Sequence, residues 1–441
     1  MLGRLISVKG RHDNHTFERI YMEFATFAEA RSILLWSAFA IAFVMGAVVN
    51  KTNFCTMGAV SDIVNIGDTG RMRAWLFAIA IAILGVVVLS LTGLVNVKQS
   101  FPPYTGSLLV WAENILGGVL FGIGMTLASG CGNKCLIRIG GGNLKSIMVF
   151  VVIAIIAYFM MYPFPGTDQT LMSVLFYDWI RPLAVNLKTG QDLGSVIAGA
   201  ENAATVNAVI GTVLGLALLA FVFKSADFRK FDNILGGLIV GAAVLGGWFI
   251  SSNLAIDLDG ETYSMPKYMA EWEFLADSTV NKPAEARQLS PQSYTFINPM
   301  GQTYNYVTNG FNYKILSFGI MSVFGVILGS LFWALISKGF RIEWFASFRD
   351  FLNHFIGALL MGFGGIMALG CTIGQGVTGV STLAIGSFLA FGSIVLGSAL
   401  TMKVQYYKMV YEDEATFFKS LVTGLVDLRL LPSGMRKLEA V

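Results

Sequence analysis

Forty-eight consecutive residues, Phe355–Met402, carry no charged side chain. A helix that crosses a bilayer takes about 20 residues at roughly 1.5 Å each, so this run is two crossings with a break between them. Seven further uncharged runs are each long enough for one crossing: Ser32–Asn50, Ala74–Val97, Asn114–Asn133, Ser146–Thr167, Asn202–Phe223, Asn233–Ile256 and Ile315–Ser337. One such run could be a buried core helix; nine spans in series leave that reading no room. A β-barrel is excluded as well, because its strands would be about ten residues long and alternate apolar with polar. The charged fraction is only 13%, against about a quarter in soluble domains. The 30 basic and 27 acidic residues nearly cancel, which gives no case for nucleic acid as a partner. The expectation is an all-α polytopic membrane protein, with the lipid bilayer around about nine transmembrane helices and short re-entrant half-helices. The first 31 residues are polar and charged, and no small-residue cleavage site follows the first apolar run, so no cleaved signal peptide is expected.

Two stretches of the chain resemble each other. Phe121–Cys131 reads FGIGMTLASGC and Met361–Cys371 reads MGFGGIMALGC, with three glycines, an alanine and the terminal cysteine in register. A second match sets GAVVNKTNFC at 46–55 against GAAVLGGWFI at 241–250, where Cys55 faces Ile250. The expected organisation is a polar N-terminal segment (1–30), a first transmembrane repeat (31–205), a second (206–402) with an extracytoplasmic loop insertion at 252–313, and a cytoplasmic tail (403–441). The matched cysteine elements fall on the third and eighth spans. An odd offset makes the two repeats inverted in topology, a common design of secondary transporters. The insertion holds seven acidic and three basic residues, which places it outside by the positive-inside bias. Nine spans then put the N-terminus outside too, although it carries five basic residues. Either a short segment such as Phe54–Asn65 also crosses or that end resists the rule. The insertion itself is rich in aromatic residues. It reads equally as a cover over the outer mouth or as a tethered surface loop.

Glycine-rich breaks at membrane depth must be buried in protein or line a cavity, because lipid cannot pair their backbone groups. Gly130–Gly132 and Gly370–Gly379 are such breaks, and each holds a thiol directly after its first glycine. Broken helices direct free N–H groups and a positive dipole end toward whatever passes, which suits an anion. The site residues expected on this ground are Cys131, Cys371, Gly130, Gly132, Gly370, Gly374 and Gln375. Lys134, Arg138 and Lys145 form an anion-attracting mouth. No metal site is expected: there is no CxxC, only three histidines, and no second soft ligand beyond the Cys131/Cys135 pair. No cofactor is implied. No histidine or acid is placed to make a nucleophilic pair with a thiolate, so the chain does not read as an enzyme. Two alternatives stay open on the residues alone: a membrane thiol redox relay through Cys131 and Cys135, and a thiolate-based metal transporter.

The motifs NKTNFCTMGAVSD at 50–62, GCGNK and RIGGGNLKS within 130–146, and MALGCTIGQGVTG at 367–379 resemble the YeeE/YedE family of bacterial inner-membrane sulfur transporters. The likeness covers most of 35–402. It implies a cell inner membrane location and uptake of a small inorganic sulfur anion, thiosulfate or a related sulfur or selenium oxyanion. It also implies a central path lined by Cys55, Cys131 and Cys371, and a cytoplasmic sulfur-carrier protein as partner. The 130–146 stretch is more like the YedE branch associated with selenium metabolism. Cys135 is additional to the family's set and takes no role from it.

Overall fold

The computed structural model describes residues 4–12, 15–276 and 282–439. Parts of the expected N-terminal segment (1–3, 13–14), insertion (277–281) and tail (440–441) lie outside the described residues. Among the described residues nine helices are long and apolar enough to cross a membrane. They are α1 Phe27–Thr52, α3 Gly70–Leu91, α4 Trp111–Leu127 continued by α5 Gly132–Gly140, and α6 Leu144–Met161. After these come α7 Leu193–Phe223, α8 Phe231–Ser252, α10 Phe318–Ile336, α11 Phe348–Met367 and α12 Ile385–Val410. Two shorter helices complete the membrane body, α2 Thr56–Ser61 and α9 Ile297–Thr308.

Local sequence explains most of the starts. Thr26, Asn143, Asp192, Ser317 and Ser347 each accept a hydrogen bond from the amide three residues on, which satisfies one of the free N–H groups of a first turn. The long helices are apolar on nearly every face, as helices between lipid and a protein core must be. What holds them together is close approach at small residues. Where α4 crosses α11, a Cβ built on Gly124 would lie 2.6 Å from the Gly357 carbonyl oxygen, and one on Gly357 would lie 2.6 Å from that of Gly124. Gly117 and Gly364 meet in the same reciprocal way. Only glycine permits this crossing.

The N-terminus and the insertion share one face of the bundle. A hairpin, β1 Arg4–His12 and β2 His15–Phe24, pairs in parallel with β3 Leu254–Leu258, which pairs with β4 Glu261–Ser264. The sheet order is β1-β2-β3-β4 (strand numbers in chain order). Arg31 of α1 ties the end of the insertion to the same face by donating to the carbonyls of Tyr313, Lys314 and Leu316. Nine crossings put the C-terminal tail on the opposite face. Phe54–Asn65 does not add a crossing; it holds α2 and the π-helical turn Asp62–Ile66. The basic N-terminus therefore lies on the same face as the insertion and opposite the tail.

The helical architecture holds, and the small sheet outside it was not expected from the sequence. The insertion is also less peripheral than a loop. Its stretch Pro291–Gly301 is almost wholly buried, and α9 packs against α6, α10 and α11. The expected division at 205/206 falls inside α7, and α12 runs past Met402.

Candidate functional site

The two glycine-rich breaks close with the same hydrogen bonds. At the end of α4, Ala128 N–H donates to Gly124 O at 2.9 Å and Gly130 N–H to Met125 O at 2.8 Å. At the end of α11, Ala368 N–H donates to Gly364 O at 2.9 Å and Gly370 N–H to Gly365 O at 2.8 Å. Between these bonds sits a residue with left-handed backbone, Ser129 at φ 57° and Leu369 at φ 59°. Such a residue followed by a glycine is a common way to end a helix and pair its last carbonyls. Each break is thus a helix end met at once by a new helix start.

A cysteine stands at each new start. Cys131 has extended backbone (φ −75°, ψ 173°) before α5, and its carbonyl accepts from Cys135 N–H at 2.9 Å. Cys371 is placed likewise, with its carbonyl accepting from Gln375 N–H at 2.7 Å. Cys55 is the third, extended (φ −155°, ψ 127°) at the start of α2, with Ala59 N–H on its carbonyl at 2.9 Å. A side chain at this position turns back toward the unpaired amides of the first turn. The Cys371 sulfur accepts from Gly374 N–H at 3.5 Å, and the Cys131 sulfur meets the amide of Lys134, also three residues on. All three thiols therefore lie at positive helix ends.

The thiols are free and buried, with Cys55 6%, Cys131 2% and Cys371 0% exposed. Cys131 is close enough to interact electrostatically with both Cys55 and Cys371. On the insertion side, Cys371 meets Tyr104, whose ring lies 6.5 Å from that of Trp248. On the opposite side, Cys55 meets Arg71 and Lys134. Electrostatic neighbours thus link Tyr104 to Cys371, Cys371 to Cys131, Cys131 to Cys55, and Cys55 to Arg71 and Lys134. Several buried polar atoms beside this line have no hydrogen-bond partner, among them Tyr104 Oη, Trp248 Nε1 and the hydroxyls of Thr56, Thr295 and Thr372. A buried unpaired polar group costs about 1–3 kcal/mol, so a cluster of them points to something that binds there.

The structure brings together Cys55, Cys131, Cys371, Gly130, Gly132, Gly370, Gly374 and Lys134. Gln375 closes the second break by donating to the Ala368 carbonyl, while its own carbonyl oxygen is unpartnered. Lys134 donates to Asn53 Oδ1 at 2.8 Å. Arg138 lies behind it, near Lys134 and Cys135. Lys145 is not part of this group: it is ion-paired to Asp350 at 2.7 Å. Cys135 is also within electrostatic reach of Cys131, but its thiol is committed to the Ser146 carbonyl, to which it donates at 2.9 Å. Ile250 lies inside α8, whereas Cys55 starts a short helix. Sequence reasoning missed Arg71, which ion-pairs with Asp62, because it reads there as one more loop charge.

A multi-span helical bundle with thiols, positive helix ends and unpaired donors at its buried centre, and cations toward one face, is built to pass a small anion. It is a membrane transporter. The chain belongs to the sulphur transport family, whose model matches residues 51–400, and its cargo is a sulfur-containing anion. The protein named thiosulfate transporter TsuA of Spirochaeta thermophila is 24% identical over 374 residues, covering 83% of this chain and 97% of its own length. The protein of the same name from Escherichia coli is 22% identical over 364 residues, covering 80% and 89%. The redox-relay and metal-transporter alternatives are not favoured.

Proposed function

We propose that this protein takes up thiosulfate across a bacterial inner membrane by passing it along Cys371, Cys131 and Cys55. The observation that carries the proposal is the line of three thiols, each at the start of a short helix and each within electrostatic reach of the next. A thiol is a weak donor with a polarizable sulfur. It holds a soft sulfur anion without trapping it, and a conduit must bind well enough to admit and weakly enough to release. Helix ends supply positive potential where a buried lysine would hold the ion too long. Lys134 and Arg71 then draw the ion toward the opposite face, where a soluble sulfur carrier accepts it.

Two inverted repeats underlie this line. Pairing α1 with α8, α3 with α10, α4 with α11 and α6 with α12 turns each packing contact into another that is also present. The α1–α10 contact becomes α8–α3, and α4–α12 becomes α11–α6, while α1–α8 and α4–α11 map onto themselves. Helix α7 stands outside the scheme as a connector.

The test is labelled thiosulfate uptake by cells that lack any other route for it. Growth on thiosulfate as sole sulfur source must depend on this protein. If it does not, while sulfite or selenite entry does, the cargo is wrong and the sulfur-anion class stands.

A further inference from the structure

Thiosulfate has two unlike ends, a soft terminal sulfur and three hard oxygens, and a line of thiols addresses only the first. Threonines inside the helices of this protein ordinarily return the hydroxyl to the carbonyl four residues back, as the buried Thr52, Thr303 and Thr423 and the half-buried Thr126 and Thr401 do. Thr295 and Thr372 do not. They are 8% and 0% exposed, and neither hydroxyl has a nitrogen or oxygen partner; each lies against a thiol sulfur instead.

Both stand at the thiol line. Thr372 faces the Cys131 sulfur from the other break, and Thr295 faces Cys371. Their freedom has a local cause. Thr372 opens the helical turn after Cys371, and the carbonyl four residues back, Ala368, belongs to the closing turn of the preceding helix rather than to its own. Thr295 precedes α9 in non-helical chain, so it has no helical carbonyl behind it. The first break offers no equivalent hydroxyl, because Gly132 stands where the second has Thr372. A Cβ there would lie 2.8 Å from Ile297 Cδ1.

We infer that Thr372 and Thr295 donate hydrogen bonds to the oxygens of the passing anion while Cys131 and Cys371 hold its terminal sulfur. The two hydroxyls are then selectivity residues, which recognise a two-ended sulfur oxyanion. The inference rests on the thiosulfate reading above and adds to it the oxygen-binding half of the site.

The experiment is labelled thiosulfate uptake into proteoliposomes at sub-saturating concentration, with T372V, T295V, T372S and T295S beside the parent. Valine keeps the shape and removes the hydroxyl, whereas serine keeps the hydroxyl. Each valine variant should lose about tenfold in uptake and each serine variant should stay within about threefold, as expected for a hydrogen bond to a charged group. Valine variants within about twofold of the parent would overturn the inference. So would serine variants as impaired as valine, which would assign the methyl group a packing role, and so would an effect at one position only. A valine variant that no longer elutes as the parent does on size exclusion would assign the hydroxyl to folding and overturn the inference in the same way. No uptake by the parent removes the thiosulfate reading itself.

Discussion

The break after α4 and the break after α11 share their closing hydrogen bonds, their left-handed residue and their cysteine, yet they open onto different surroundings. After Cys131 the chain continues as α5, a regular helix that carries Lys134 and Arg138. After Cys371 it continues through the π-helical turn Gly374–Gly379 and the turn Val380–Thr382, where every residue is buried and none is charged. Position 134 bears a lysine where 374 bears a glycine with Thr295 against it. Position 135 bears a thiol bonded to Ser146 where 375 bears an amide bonded to Ala368. One backbone device thus serves two ends of the proposed route. The insertion-side end presents uncharged donors, and the opposite end presents cations. On the proposed uptake route the neutral end would admit the ion without capturing it, and the cationic end would lower its energy on the far side.

The crossing that joins the two breaks is the place to damage both at once. Gly124→Val and Gly364→Val each force a side chain into a backbone carbonyl of the other helix. Both should abolish recovery of folded protein, seen as loss of the monodisperse peak on size exclusion. Survival of one would mean that the breaks are not mechanically equivalent. The charge difference is the next test. Lys134→Met should reduce uptake by roughly tenfold and flatten its dependence on ionic strength, since a cation at this range is worth on the order of 1–4 kcal/mol to an anion. Gln375→Leu leaves the Ala368 carbonyl unpaired at a cost of about 1–3 kcal/mol. It should therefore lower the melting temperature while leaving the salt dependence of uptake as it is. If the salt dependence moved with Gln375 and not with Lys134, the assignment of a neutral and a charged end would be reversed.

The backbone device has its own signature. Leu369 holds φ 59° with a side chain that disfavours it. Leu369→Gly should raise the melting temperature, by relief of about 1 kcal/mol of strain, unless the lost leucine packing cancels it. Ser129→Gly should follow in the same direction with less packing to lose. The smallest effect concerns the tail on the opposite face, where α13 (Phe417–Asp427) folds back on α12. Burial pushes the Asp427 carboxyl up, but hydrogen bonds from Tyr407 at 2.7 Å and from Arg436 outweigh it and hold the carboxyl below its ordinary range. A depressed carboxylate stabilises above its unfolded pKa and loses that contribution as pH falls through the folded one. Proteolysis of the tail should therefore be slow at neutral pH and quicken below about pH 4. Asp427→Asn should be cut quickly at both.

Much of this was legible because charge is so costly in a bilayer. The uncharged runs fixed the helices, and glycine next to cysteine inside two of them marked the breaks. The line of thiols was legible only through the family resemblance; on spacing alone Cys55 is too far along the chain from Cys131 and Cys371 to be joined to them. Three things were hidden, each for a physical reason. The pairing of the N-terminal hairpin with β3 bridges some 230 residues of chain, and no local pattern announces a partner so distant. Cys55 starts a short helix of its own after α1, a break that the glycine registers of an apolar helix do not announce. Arg71 and the two threonines are ordinary residues in sequence, made notable only by what fails to pair with them once the chain is folded.

The central claim is that Cys371, Cys131 and Cys55 form one route and Cys135 does not. Labelled thiosulfate uptake by the four single variants tests it most directly. Cys55→Ala, Cys131→Ala and Cys371→Ala should each cut uptake by at least about tenfold, the loss of one contact to an ion. Cys135→Ser, which can keep the bond to the Ser146 carbonyl, should remain within about twofold of the parent. Near-normal uptake by any of the three alanine variants, or a Cys135→Ser loss as deep as theirs, would contradict the account.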